Sequence, residues 1–120
     1  MDIMIGSGCK ALAVPAGFAL ETIADVKDLI PAAWAGDCQA VIVPMACLPE
    51  AFFDLKTGFA GEVLQKFTNY NLKFAVTGDF SGFLSKSLRD FIYESNKGNQ
   101  VFFKASLEEA MTAMEKALTQ

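Results

Sequence analysis

Residues 39–46, QAVIVPMA, form an unbroken apolar run. No polar residue alternates through its middle, so neither face of such a strand is suited to water. A strand of this kind belongs in the interior of a sheet covered on both sides, the arrangement of parallel α/β domains. Pro44 lacks a donor for the ladder, so it marks the end of the strand or a bulge. The C-terminal two-thirds of the chain supplies the cover. In GFAGEVLQKFTNY, Phe59, Val63, Phe67 and Tyr70 fall on one helical face. NLKFAVTG reads as the next strand, SKSLRDFIYES as a helix with Leu88, Phe91 and Ile92 inward, and QVFFKA as a further strand. SLEEAMTAMEKALT is the most regular helix, with Ser106 as its cap, Glu109 completing a capping box, and a stripe of Leu107, Ala110, Met111, Met114 and Leu118.

The chain opens differently. DIMIG and KALAVP are short apolar runs around SGC, with Gly6 and Gly8 at the turn, and they read as a β-hairpin. In TIADVKDLI, Val26, Leu29, Ile30 and Ala33 repeat at helical spacing, and Thr22 with Asp25 forms an N-cap signature. Pro31 predicts a kink, or a break with a second short turn, and Gly36 ends the segment. The order is β-β-α-β-α-β-α-β-α. Successive right-handed crossovers make it one α/β domain over 1–120, with a mixed, mostly parallel five-stranded sheet covered by helices. No internal repeat, low-complexity segment or linker interrupts it.

Composition excludes several classes. A chain of 120 residues that is 52% hydrophobic, with 11 Phe, has enough apolar material for a core and is not disordered. A net charge of −4 argues against nucleic-acid binding. The absence of His removes Ser-His-Asp and Cys-His catalysis and the commonest metal ligand. Cys9, Cys38 and Cys47 make no C-x-x-C pair, which reads as reduced thiols in a cytoplasmic protein. No apolar run is long enough to span a bilayer. The expectation is a protein with no cofactor or metal and no catalysis.

In a parallel sheet, functional groups gather beyond the carboxyl ends of the strands. Two loops fall there, residues 47–58 and residues 77–87. The first leads into FDLKTGFAGE, which looks at first like a phosphate loop. A P-loop places Gly before its Lys-Ser/Thr pair, whereas Lys56 and Thr57 precede Gly58 and Gly61, so the spacing that licenses nucleotide hydrolysis is missing. Asp54 or Thr57 can instead cap a helix, with Gly58 and Gly61 allowing the first turn close approach to a neighbour. In the second loop, Ser81, Ser85, Lys86, Ser87 and Arg89 surround a helix start, a pattern suited to an anion. Residues 71–98 are also less acidic than residues 1–50. Capping by Ser85 or Ser87 is the simpler account. An accessible Cys47 thiol, or a carboxylate pair of Asp54 with Glu50 or Asp79, would be needed for an enzyme.

FFDLKTGFAGEVLQKFTNYNLKFAVTGDFS followed by SKSLRDFIYESNKG resembles the small bacterial proteins called domain of unknown function 4180, over about residues 52–118. The hairpin and Pro31 are less typical of it. The element order also resembles the STAS domain of anti-sigma-factor antagonists and sulfate transporters. There a buried strand leads through a hydroxyl-Gly turn into an amphipathic helix. Thr57 before Gly58 sits where that family carries a phosphorylatable Ser, with Lys56 in place of a small residue and the acid one residue further away. The resemblance implies a regulatory domain that docks a protein partner through residues 52–61 and the helix after them. Phosphate at Thr57 would add about −1.5 to −2 charge there. The alternative is a small molecule or anion at the paired loops. The acidic helices and many Phe residues also admit a homodimer.

Overall fold

The computed structural model describes residues 1–83 and 85–119. It contains a five-stranded sheet in the order in which its strands occur in the chain. Strand β1 (Asp2–Gly6) pairs antiparallel with β2 (Cys9–Ala13) across the turn Ser7-Gly8, where Gly8 adopts φ +76°. Strands β3 (Ala40–Pro44), β4 (Lys73–Thr77) and β5 (Val101–Lys104) then add in parallel, one beside the next. Pro44 closes β3, as a residue without an N–H should.

The crossovers all step the same way along the sheet, so their helices share one face. The first is split into α1 (Ile23–Lys27) and α2 (Leu29–Ala35). Thr22 caps α1 through a complete capping box with Asp25. The break expected around Pro31 lies at Asp28, three residues earlier. A continuous helix would drive the Pro31 ring into the Lys27 carbonyl and leave that carbonyl without its donor. Restarting at Leu29 puts Pro31 in a first turn, where its N–H is not needed. Gly36 ends α2 with φ −95°, and it is Asp37 that takes the left-handed conformation at φ 55°.

The second crossover carries α4 (Phe59–Asn69), preceded by the short α3 (Glu50–Phe53), which the sequence pattern does not distinguish from loop. Val63 and Phe67 are buried as expected, but Tyr70 is not inward. It stands at the C-terminal end of α4, 46% exposed, with its ring edge-on to Trp34 at 5.1 Å. The third crossover carries α5 (Lys86–Lys97). Leu88 is fully buried, while Phe91 and Ile92 pack half-buried against the core.

The two faces of the sheet are filled by different residues. Toward the crossover helices point Leu12, Val41, Val43, Phe74, Val76 and Phe103. The other face is small: Cys9, Ala11, Ala40 and Ala75, with Ile42 and Phe102. One helix covers it, α6 (Leu107–Leu118), which inserts Ala110, Met111 and Met114. Alanines let that single helix settle close to the strands and exclude water without a second layer. Ser106 caps α6 by accepting the Glu109 N–H at 3.2 Å. Glu109 meets the Ser106 hydroxyl rather than its backbone N–H, so the reciprocal half of the expected capping box is absent.

Candidate functional site

The loops after β2, β3 and β4 leave the same end of the sheet and are tied together. The Leu20 N–H donates to the Cys47 carbonyl at 2.9 Å, and the Cys47 thiol points to the Pro15 carbonyl at 3.3 Å. Cys47 is buried, and burial pushes its thiol up from the ordinary value. Cys9 and Cys38 are buried and shifted the same way for the same reason. None is the exposed, electropositive thiol that a nucleophile requires.

The segment FDLKTGFAGE resolves into a chain of local contacts. The Asp54 carboxylate accepts the Lys56 N–H at 3.2 Å and so caps the single turn of 3-10 helix Leu55–Thr57, not α4. The Thr57 hydroxyl points back into its own loop. It is shared between the carbonyls of Ala51 at 2.6 Å and Asp54 at 2.8 Å, and it accepts the Phe59 N–H at 3.1 Å. The N-cap position of α4 is Gly58 and carries no side-chain cap bond, so neither Asp54 nor Thr57 caps the helix in the usual way; Thr57 only holds the first amide, Phe59. Amides that a phosphate loop would aim outward are already used: Thr57 N–H on Asp54, Gly58 N–H on Leu55 and Glu62 N–H on Gly58. Gly58 has φ +76°, and a Cβ on it would meet nothing within 4 Å. The same holds for Gly61, so the close approach expected of these two glycines does not occur. Their spacing fitted a packing contact, but both face outward.

The second loop is also locally satisfied. Asp79 accepts the Ser81 hydroxyl at 2.6 Å and the Ser81 N–H at 3.0 Å, which hold its carboxyl below the ordinary 3.8. That is the direction opposite to what a general acid needs. Ser85 caps α5 by accepting the Leu88 N–H at 3.3 Å. Lys86 pairs with Asp90 at 2.7 Å one turn on, an exposed surface pair. Ser87 and Arg89 are exposed on the first turn of α5. Leu84, inside this loop, lies outside the described residues. Among the described residues no group of His, Cys, Asp and Glu could hold a metal ion.

A pair of aromatics that sequence reasoning misses brings the two loops together. Phe53, at the end of α3, stacks on Phe83 with ring centres 5.0 Å apart and planes 20° apart. Phe80 continues the row, 6.4 Å from Phe83 and edge-on to the core ring of Phe103 at 5.5 Å. Gly78 makes the approach of β4's end to the first loop feasible: its φ is +157°, and a Cβ there would fall 2.8 Å from the Met45 Cβ. Beside the stack opens a depression of about 380 Å³ lined by Met45, Leu48, Glu50, Phe53, Asp54 and Phe83. Among the described residues that line it, Met45, Leu48, Phe53 and Phe83 are apolar and Glu50 and Asp54 carry charge. A signal exists in both loops. FFDLKTG and GDFSGF each carry Phe among polar turn residues, where a loop gains nothing from an isolated ring.

A family model described as "Domain of unknown function (DUF4180)" matches residues 10–114, from β2 into α6. The match begins well before residue 52, where the resemblance read from the sequence begins. No curated protein matches, and no solved structure matches.

Proposed function

The chain belongs to the DUF4180 family, and from that footing we propose that it is a non-catalytic binding module. It docks a protein partner at the joined loops, through residues 52–61 and the start of α4. The observation that carries this reading is the Phe53–Phe83 stack with the depression beside it. An apolar wall with carboxylates and no cation fits a partner segment that inserts an apolar side chain flanked by Lys or Arg. The buried thiols and the low-lying Asp79 carboxyl support a role without catalysis. The element order supports a STAS-like regulatory role, in which a change of charge at Thr57 alters docking.

The test is titration of the isotope-labelled full chain with designed peptides, read by backbone amide shifts. Peptides carrying an apolar residue between two Arg bind at least about tenfold tighter than the same peptides with Glu, and shift the amides around Phe53 and Phe83. Phe83→Ala loses that preference. Thr57→Glu weakens the binding while Thr57→Ala, equally folded, does not match its effect. Equal behaviour of the two Thr57 variants sinks the switch, and shifts located elsewhere sink the site.

A second reading, a small apolar cation in the same depression, is supported by its volume, which lies within the range of small-ligand pockets. A thermal-shift screen with aryl-ammonium compounds separates it from the first. Occupancy at 100 times the dissociation constant stabilises by about 2.7 kcal/mol.

A further inference from the structure

We infer that β1 is a homodimerisation edge, pairing antiparallel with β1 of a second copy about a two-fold axis at Met4.

The direction of the backbone groups comes first. The Gln39 N–H donates to the Lys10 carbonyl, and the Val14 N–H donates to the Ile42 carbonyl. Lys10, Leu12 and Val14 therefore turn their backbone groups toward β3, and Cys9, Ala11 and Ala13 turn theirs toward β1. Those three pair with Gly6, Met4 and Asp2. By the same alternation, Ile3 and Ile5 direct their N–H and C=O groups out of the sheet. Among the described residues nothing pairs them there, because β1 ends the sheet.

The middle of β1, Ile3 to Ile5, carries no charge, proline or bulge that would keep another strand from pairing. The whole strand, DIMIG, pairs one-to-one with β2. Ile5 is 77% exposed, the most exposed large hydrophobic residue among those described, and Ile3 is 43% exposed. Both lie on the face of the crossover helices, where a Cβ on Gly36 would fall 2.6 Å from Ile3 Cδ1.

A second copy fits this edge in one register. An antiparallel pair alternates hydrogen-bonded and non-hydrogen-bonded positions. Centring the axis on Met4 sets Ile3 opposite Ile5 of the second copy as a hydrogen-bonded pair, twice, and Met4 opposite Met4 as the non-bonded pair between them. Asp2 then faces Gly6, so no like charges meet across the junction. The isoleucines cover one another on one face. The contact is isologous and closes at two copies.

The test uses the full chain in sedimentation equilibrium. The wild type is a dimer, and Ile5→Lys raises its dissociation constant by about 30-fold or more, because the axis counts each substitution twice. Ile5 is on the surface of the single chain, so the variant folds, which circular dichroism verifies. Oxidation of Met4→Cys yields a covalent dimer, since opposed Cα atoms at a non-bonded position lie about 4.5 Å apart, within reach of a disulfide. Ile3→Cys, which faces Ile5 and not its own mate, yields none. A wild type that stays monomeric at about 100 µM overturns the inference. So does an unweakened Ile5→Lys dimer, or protection of the Ile3 and Ile5 amides from exchange only when an extended peptide of another protein is added.

Discussion

At the outer side of β5, the Asn96 side chain stands where a sixth strand would stand. Its amide Nδ2 donates to the Phe103 carbonyl at 3.1 Å, and its Oδ1 accepts the Phe103 N–H at 2.8 Å. At the outer side of β1 no side chain plays that part among the described residues, and two isoleucines line the strand. Beside β5 the surface is charged, with Lys97, Lys104 and Lys116 near Glu108 and Glu109 around an open hollow of about 620 Å³. Along β1 the exposed large apolar side chains are Ile3 and Ile5. Both are edges of one sheet and face the same hazard of unwanted pairing. The difference teaches where the protein invites company. One edge is plugged by a side chain borrowed from α5, and the other is left open and apolar.

The comparison can be broken hardest at Asn96. Asn96→Leu removes both bonds at Phe103 and should lower stability by about 2 kcal/mol in urea titrations, one for each bond. A loss below about 0.5 kcal/mol means the amide is ornamental and the two edges are equivalent. Gly6→Ala probes the other side. Its Cβ would fall 2.6 Å from the Glu115 carboxylate and 2.9 Å from Met111 Cε, both movable ends of α6 side chains. Glu115 also accepts the Ser7 N–H, so displacing it loosens the hairpin turn from α6. The expected loss is about 1 kcal/mol, measured the same way. Gly36→Ala should be the gentlest change near β1. It pushes only the terminal carbon of Ile3, which is free to rotate, so the monomer changes by under about 0.5 kcal/mol while self-association weakens.

Asp25 gives a control that touches neither edge. The Thr22 capping bonds hold its carboxyl below the ordinary 3.8, the backbone bond first and the hydroxyl second. A depressed carboxyl contributes stability above its unfolded value and loses it as pH falls through the folded one. Acid titration of Asp25→Asn against wild type should therefore show a difference near neutrality that shrinks as the pH drops below about 4. A difference that grows toward acid would contradict the capping geometry.

The layout of the sheet was readable because strand and helix periods are carried by many residues at once. Val41, Ile42, Val43, Phe74, Ala75 and Val76 leave little choice about where the interior strands lie. Caps at Thr22 and Ser106 were readable for a local reason, since the cap and the residue that answers it lie only three positions apart. The features that shape the candidate site are not local. Phe53 and Phe83 are thirty positions apart, and a ring in a loop reads as noise until its partner is placed. Asn96 on α5 looks like a solvated helix residue until β5 is seen beneath it. Gly58 and Gly61 show the converse failure. Their spacing matches a helix contact equally well whether or not a neighbour exists, and here there is none.

The Thr57 hydroxyl is spent on its own loop. An enzyme that modifies it meets the free hydroxyl only during the fraction of time in which the loop is open, so the rate of modification becomes a gauge of local unfolding. Each 1.4 kcal/mol by which a bound partner holds the loop shut slows that chemistry about tenfold. On the docking proposed at the neighbouring depression, a partner seated there and a modification of Thr57 would therefore compete through the opening of this one loop.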